Sequence, residues 1–511
     1  MNPKRLLIWL LLIVGFSIRI IPLLSNTVHF SFDQGLDIAM VKFLVVDHKL
    51  NLVSRYSGFQ GILMGPFWTW LLAIPFAISG GNPAANIIFM SLMSVFFCFV
   101  TFLIIKHMLS EQLGWLIFIL TIFSPIYLLG SGVILSPLPI IFISIFYLWS
   151  LWEIFVLKRL SFWMLLFLVI GIFFQLELAV AFFSLPSIII TAFFFKSVSP
   201  FKSRYFFFGL GILFLTFIPQ ILFDIRHNLL ISHGFINFLI SSTTSLGGSG
   251  SNLSARFVER LYSLQEDLRS MALVEPLWFS MIMIIISIIG WKTIFTQKLV
   301  KEIKLLYLLL AIIVGFYGSF VLYPGPIWGW YRVSLPIVFL LLIFTPYPIL
   351  WKNKRLRIGM VIIAIYYMFT IINPFGIWSV LTVKNKGGES NLSSQIKILD
   401  YIYSNAKSSN FSVFVYTPPV YDYTWQYVFW WYGRNKYGYL PNNWNLSVPL
   451  LGVGKQTLPP KSDQGVFYLI IEPDREHPGN PDGWIKSFIK IGKTIDRKIF
   501  PEGIIVEKRT T

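Results

Sequence analysis

Apolar residues run through this chain in blocks near 6–24, 62–80, 85–105, 113–129, 137–157, 161–175, 178–195, 204–223, 276–295, 304–323, 333–351 and 357–377. Most are close to the ~20 residues that carry a helix across hydrocarbon, and none shows the ten-residue alternation of an outer-membrane barrel. Helices are therefore the expected spanning elements. Between the first two blocks, "DQGLDIAMVKFLVVDHK" places Leu36, Met40, Phe43 and Leu44 on one helical face, the pattern of a helix lying in the membrane plane. Residues 224–275 form a polar loop whose "ARFVERLYSLQEDLRSM" predicts an amphipathic helix after a Gly/Ser-rich stretch. Beyond 377 the hydropathy falls. There "FSVFVYTPP", "GVFYLIIEP" and "GIIVEKRT" predict strands, and "SNLSSQIKILDYIYSNAKSS" predicts a capped helix.

The basic residues then sort the blocks. If 62–80 does not cross but lies as a re-entrant or interfacial helix, every cytoplasmic loop is basic: Lys4/Arg5, Lys106, Lys158/Arg159, Lys196/Lys202/Arg204, Lys292/Lys298/Lys301/Lys304 and Lys352/Lys354/Arg355/Arg357. The short outer loops "LGSGVILSP", "FQLELA" and "YPGPIWGWYRV" are then nearly free of Lys and Arg, as the positive-inside bias requires. Pro66, Pro75 and the Trp residues of "GPFWTWLLAIPFAISGG" favour that placement. The expected architecture is a polytopic α-helical membrane protein with about 11 spans. Its N-terminus is inside, interfacial helices occupy the outer loop 25–84, and a small extracytoplasmic α/β domain covers 378–511. Residues 1–377 form the membrane domain. The run after the basic start is too long for a typical signal peptide and has no A-x-A-like cleavage site, so it reads as a retained span.

Composition adds to this picture. The chain has 511 residues, 56% hydrophobic and 13% charged, far from a soluble domain. The net charge of +18 suggests nucleic acid at first, but the loop bias accounts for the Lys and Arg, and no nucleic-acid partner is expected. The single cysteine, Cys98, excludes an intramolecular disulfide and a thiolate metal cluster. Nothing resembles a nucleotide-binding loop, a dinucleotide fingerprint, a zinc-protease helix or a nucleophile elbow.

Charged groups at the membrane are expensive and draw functional attention. Asp33, which opens the helix after the first span, is the candidate general base, with a helix N-cap as its structural alternative. Asp37, one turn later, either shares that site or solvates the helix. His48 and Lys49 of "DHK" are candidate substrate contacts, though their spacing does not suit a metal and a solvated helix end explains them as well. Arg55 and Tyr56 precede the glycines of "GFQGILMGPFW", where backbone can approach a phosphate or sugar closely. Glu177, in a minimal turn between two blocks, is a boundary charge or a cavity wall. Arg226 belongs to the "FDIRHN" cluster, read either as a water interface or as a site. Arg332, beside Trp328, Trp330 and Tyr331, is the lone charge of its outer loop and a candidate phosphate ligand, snorkelling being the alternative.

Taken together, a basic N-terminus, one span, then "FDQGLDIAMVKFLVVDHK" and "GFQGILMGPFWTWLLAIPFAISGGNPAANIIF" resemble the polytopic glycosyltransferases of the GT-C fold. The group resembled includes protein O-mannosyltransferases and lipid A aminoarabinose transferases. "WYRVSLPIVFLLL" is similar to the aromatic, proline-containing start of a late span in the same proteins. The resemblance implies a sugar donor on a polyprenyl phosphate, inversion at the anomeric carbon, and Asp33 as general base. Two departures stand out: Asp33-Gln34 where relatives often have Asp-Glu, and Ser136 in "GVILSPLP" where relatives can carry an acid. They leave a second acidic role and a divalent cation open; no other cofactor is implied. The expected partners are the donor, membrane lipid, and a glycan, lipid or protein acceptor. Alternatives are a ligase or polymerase of lipid-linked oligosaccharide and, from another class, a transporter or flippase of lipid-linked sugars, for which the interrupted helices paired in two halves are not found.

Overall fold

The computed structural model describes residues 3–57, 62–195, 203–241, 253–272, 277–372, 390–407, 410–418, 421–444, 465–489 and 491–511. Gly58 and Gly61, most of the Gly/Ser-rich stretch and the segment 373–389 lie outside them. The chain folds into two compact units that exchange segments: Met1–Arg19, Leu52–Trp68 and Phe89–Ser379 form the first, and Ile20–Asn51, Thr69–Ile88 and Val380–Thr511 the second. The hydropathy boundary at 377 marks where the apolar blocks end. The compact units instead group the segment around Asp33 with the C-terminal residues.

The helices are α1 (Pro3–Arg19), α2 (Ile21–Leu24), α3 (Phe32–Val45), α4 (Phe67–Ser79), α5 (Pro83–Met108), α6 (Glu111–Phe123), α7 (Pro125–Gly132), α8 (Pro139–Leu151), α9 (Trp163–Leu176), α10 (Leu178–Phe194), α11 (Arg204–Arg226), α12 (Leu230–Ser241), α13 (Leu253–Ala272), α14 (Leu277–Thr296), α15 (Val300–Leu322), α16 (Pro336–Phe344), α17 (Tyr347–Leu350) and α18 (Lys354–Ile372). Among the described residues, five helical stretches are long and apolar enough to cross a membrane: Pro83–Met108, Pro139–Val156, Arg204–Arg226, Leu277–Thr296 and Val300–Leu322. A sixth arises if α6 and α7, bent by 50° at Ser124 and Pro125, count as one. The other blocks give shorter apolar helices, because turns interrupt them, as at Glu177 between α9 and α10. The 62–80 block yields only the 13-residue α4, about 20 Å of helix, well short of the ~30 Å hydrocarbon core.

Small residues set the helix spacing in the first unit. A Cβ on Gly315 of α15 would stand 2.5 Å from the Ser187 backbone of α10, and one on Gly171 of α9 would stand 2.7 Å from Thr216 of α11. Such close approach gains dispersion contact where apolar burial gives no net drive. Tyr147 of α8 donates to the Ser184 carbonyl at 2.7 Å and lies 2.6 Å from Ser187 Oγ, tying α8 to α10.

In the second unit, β1 (Phe411–Tyr416), β2 (Val466–Ile471), β3 (Lys493–Ile499) and β4 (Ile505–Thr510) form a sheet of order β1-β2-β4-β3. The β1 and β2 strands are parallel; the other two pairings are antiparallel. Its apolar side packs Phe414, Phe467, Leu469 and Ile471 around Phe488. The expected capped helix is α19 (Leu392–Ala406), with Asn391 Oδ1 accepting from Ser393 and Ser394 N–H. It is followed by α20 (Tyr423–Val428), α21 (Arg434–Tyr437) and α22 (Asn480–Ile489).

The α3 helix corrects the one-faced pattern. Of the expected stripe only Met40 is buried, whereas Gln34, Gly35, Asp37, Ile38, Ala39, Val41 and Lys42 are. The reason is tertiary: α3 packs against α20, and a Cβ on Gly35 would lie 2.5 Å from Thr424 N. Because backbone cannot yield as a flexible side chain does, Gly35→Ala is expected to destabilise by about 1–3 kcal/mol. Thermal unfolding in detergent checks this, with Gly132→Ala, whose Cβ meets nothing within 4 Å, as the neutral comparison.

Candidate active site

Two charged clusters emerge, one in each compact unit. In the second unit, the chain entering α3 is stapled to the start of α19. Phe30 N–H donates to Ser390 O at 2.7 Å, Leu392 N–H to Val28 O at 3.0 Å, and Gln395 Nε2 to Phe30 O at 2.9 Å. Ser31 is the N-cap of α3, and Gln34 closes a capping box by accepting from Ser31 N–H at 2.7 Å. The N-cap alternative for Asp33 therefore gives way: the capping position belongs to Ser31, and Asp33 sits in the first turn, partly exposed. This also assigns the departure at position 34, since a neutral amide oxygen does the reciprocal capping.

Burial lowers the pKa of His29, and the neighbouring Asp33 carboxylate opposes that shift. Phe32 stacks 6.2 Å from Tyr421 and lies 5.3 Å from Tyr423, so an aromatic group borders Asp33. Asp37 is 1% exposed, one turn deeper in α3. His48 and Lys49 are exposed at the far end of the helix, where His48 takes a φ of 52° and the Lys49 ammonium lies 5.7 Å from the Phe43 ring. With a rise of about 1.5 Å per residue, α3 separates them from Asp33 by roughly 18 Å. Lys42 of the same helix pairs with Asp47 at 2.7 Å.

In the first unit, Arg55 is held on a short antiparallel ladder: Met64 N–H donates to Arg55 O at 2.9 Å and Ser54 N–H to Met64 O at 2.8 Å. Tyr56 bridges to Leu63 and is exposed. Gln175 and Gln220 clamp this ladder against α9 and α11, with Gln175 Nε2 donating to Gln220 Oε1 at 2.6 Å. Gly65 leaves the space that the Gln175 amide fills. Arg55 Nη2 donates to Ser136 Oγ at 3.0 Å, so the position where relatives can carry an acid is here a neutral partner of a cation.

Glu177 caps α10, accepting from Ala179 N–H at 3.4 Å, and burial raises its pKa to about 7 against the opposing pull of Arg55. The buried Tyr331 hydroxyl is raised by burial and by Glu177. Next to it, Arg332 Nη1 donates to Asp267 Oδ1 at 2.6 Å, and Asp267 also accepts from Tyr317. Burial pushes Asp267 up to about 6, with Arg332 opposing. Phe183 joins the group, its ring 6.0 Å from Tyr331 and 5.6 Å from Tyr323, whose hydroxyl feels the charge of Arg260. Arg260 Nη2 donates to Gly325 O at 3.0 Å.

Arg55, Glu177, Tyr331 and Arg332 are thus brought together. Arg226 is not: it is exposed at the end of α11, where the neighbouring Asp224 caps α12 through Ile231 N–H at 2.6 Å and Ser232 Oγ at 2.6 Å. Arg260 and Asp267 are the residues the sequence reading missed. Their signal was present, for they stand seven apart on the expected amphipathic helix and so share a face. Among the described residues, no group of three or more His, Cys, Asp or Glu side chains could hold a metal ion.

The chain superposes on the crystal structure of ArnT from Cupriavidus metallidurans bound to undecaprenyl phosphate over 99% of its length and 98% of that chain, with a TM-score of 0.61 at 9% identity. It has the GT-C fold. The apo form of the same ArnT, covering 99% and 98% at 9% identity, and an Archaeoglobus fulgidus oligosaccharyltransferase, covering 78% and 56% at 12%, match with TM-scores of 0.48 and 0.42 and add nothing to that conclusion. No protein-family model and no curated protein matches the sequence.

The raised pKa of Glu177 fixes a sign. Between the ordinary 4.5 and about 7 the native state holds a proton that the unfolded chain has lost, so stability falls as pH rises through that window. Glu177→Gln is expected to remove on the order of 1–3 kcal/mol of this dependence. Unfolding temperatures of wild type and variant across pH 4–8, read as a difference, check it.

Proposed function

We propose that this protein transfers a sugar from a polyprenyl-phosphate donor to an acceptor hydroxyl at the outer face of the membrane. The observation that carries the reading is the whole-length fold likeness to ArnT, a protein crystallised with undecaprenyl phosphate. The clusters supply the chemistry such a donor needs. Arg55, Arg332 and Arg260, with the Tyr331 hydroxyl, hold the donor phosphate. Guanidinium is suited to this because it stays charged and presents several N–H donors.

Asp33 accepts the proton of the acceptor hydroxyl as its oxygen attacks the anomeric carbon. The bond from that carbon to the phosphate oxygen breaks, the electron pair leaves with polyprenyl phosphate, and the configuration inverts. Guanidiniums at the phosphate stabilise the charge that develops there. Asp37, buried a turn deeper, positions α3 and does not touch the acceptor. Phe32 and Tyr421 beside Asp33 give the acceptor an apolar face to lie on. Asp267 keeps Arg332 in place. No step requires a metal.

The test is transfer or donor hydrolysis by the purified protein in lipid with a panel of undecaprenyl-phosphate sugars. Asp33→Asn is expected to lower turnover about 10²–10⁴-fold. Ser31→Ala, which removes the side chain of the N-cap, is expected to lower stability while leaving turnover near that of wild type. Equal turnover for Asp33→Asn and wild type would remove Asp33 as the base.

A further inference from the structure

The first unit contains a cavity that the proposed reaction does not use. It has a volume of about 440 Å³, within the ~300–1,000 Å³ range of ligand pockets. Its walls come from α6 (Trp115, Ile119), α14 (Met283), α16 and α17 (Phe344, Tyr347), and α18 (Ala364). They are almost wholly apolar, and Met283, Phe344, Tyr347 and Tyr367 are themselves buried. This is a built recess, not an open helix face.

One end is marked by Gln112 and the partly exposed Trp351. From Gln112 to Leu120 along α6, and from Met360 to Met368 along α18, the lining runs eight residues into the bundle, about 12 Å of helix. The marked end is also the basic one. Lys352 follows Trp351 directly, Arg357 Nε donates to Trp351 O at 3.2 Å, and Lys354 opens α18. On the other wall Lys106 and Lys4 lie 3.6 Å and 2.7 Å from Glu111, the residue before Gln112. Five cations and one carboxylate thus stand on the segments that flank this end of the apolar slot.

From this pairing of charge and slot we infer that the cavity holds one chain of an anionic phospholipid, with its phosphate among Lys352, Lys354 and Arg357. The apolar wall takes the chain because each methylene removed from water is favourable. The basic lip selects the headgroup by charge. The site is independent of the Asp33 chemistry.

Full-length protein in detergent, titrated with dioleoyl phosphatidylglycerol and with dioleoyl phosphatidylcholine and read by native mass spectrometry, tests it. Wild type is expected to fill one site about tenfold more tightly with phosphatidylglycerol. Ala364→Trp, which fills the slot, is expected to weaken that site by about tenfold or more, and Met368→Trp does the same should the first variant fail to fold. Lys352→Glu combined with Arg357→Glu is expected to erase the preference for phosphatidylglycerol. The proposal is overturned if wild type shows no site that discriminates the two lipids, or if a filled variant with unchanged thermal unfolding retains the site. Displacement of phosphatidylglycerol by an equal concentration of undecaprenyl phosphate overturns it too, by assigning the slot to that lipid.

Discussion

Arg19 is 2% exposed, at the end of the first helix, where a guanidinium can persist only if its donors are satisfied. Its Nε donates to Ser94 Oγ at 2.9 Å, and Nη1 donates to Ile122 O at 2.9 Å and to Gly15 O at 3.0 Å. The Ile122 carbonyl is available because Ser124 and Pro125 break the helix there, leaving the last carbonyls of α6 without intrahelical donors. One buried cation thus joins α1, α5 and α6 and uses the break between α6 and α7. The same constraint recurs throughout the first unit. Glu153, fully buried, takes Arg159 at 3.1 Å and Trp149 Nε1 at 2.9 Å, and Asp267 takes Arg332 and Tyr317. Charge is admitted only with its partners in place, and this arrangement sets the geometry of the proposed phosphate site.

Past Arg19 the chain enters the other compact unit. "FDQG" finds its meaning there: Phe32 stacks on tyrosines from the C-terminal segment, Gln34 completes the cap, and Gly35 admits the Thr424 backbone. Three of the four residues are committed to structure. The carboxylate of Asp33 stands in the first turn, past the N-cap Ser31. In the proposed reaction this carboxylate is the base, and the staple between residues 28–30 and 390–392 fixes the chain that leads into it.

Much of this was legible in the sequence. Apolar block length announced the long apolar helices, and short apolar runs bounded by turn residues found β1, β2 and β4, of which β1 and β2 are buried on both faces. The β3 strand was missed: Lys493–Ile499 is exposed throughout as the edge of the sheet and carries no such run. Arg19 was hidden inside an apolar block, where a single charge does not alter hydropathy. The expected face of α3 failed because periodicity reports one buried side, whereas α3 is buried on several. Asp33, Arg55, Glu177 and Arg332 could be picked out as charges at block ends. Arg260 and Asp267 required the face of α13 to be compared with the loop of Arg332, a tertiary relation that sequence spacing does not contain.

The central claim of the proposed reaction is that Arg55 and Arg332 hold the donor phosphate while Asp33 takes the proton. Equilibrium binding of undecaprenyl phosphate to wild type, Asp33→Asn, Arg55→Ala and Arg332→Ala in nanodiscs measures it without needing the sugar or the acceptor. Each arginine variant is expected to bind about tenfold or more weakly, as loss of a charge-assisted contact implies, while Asp33→Asn binds as wild type does. Unchanged affinity in both arginine variants, or a loss confined to Asp33→Asn, would contradict the account.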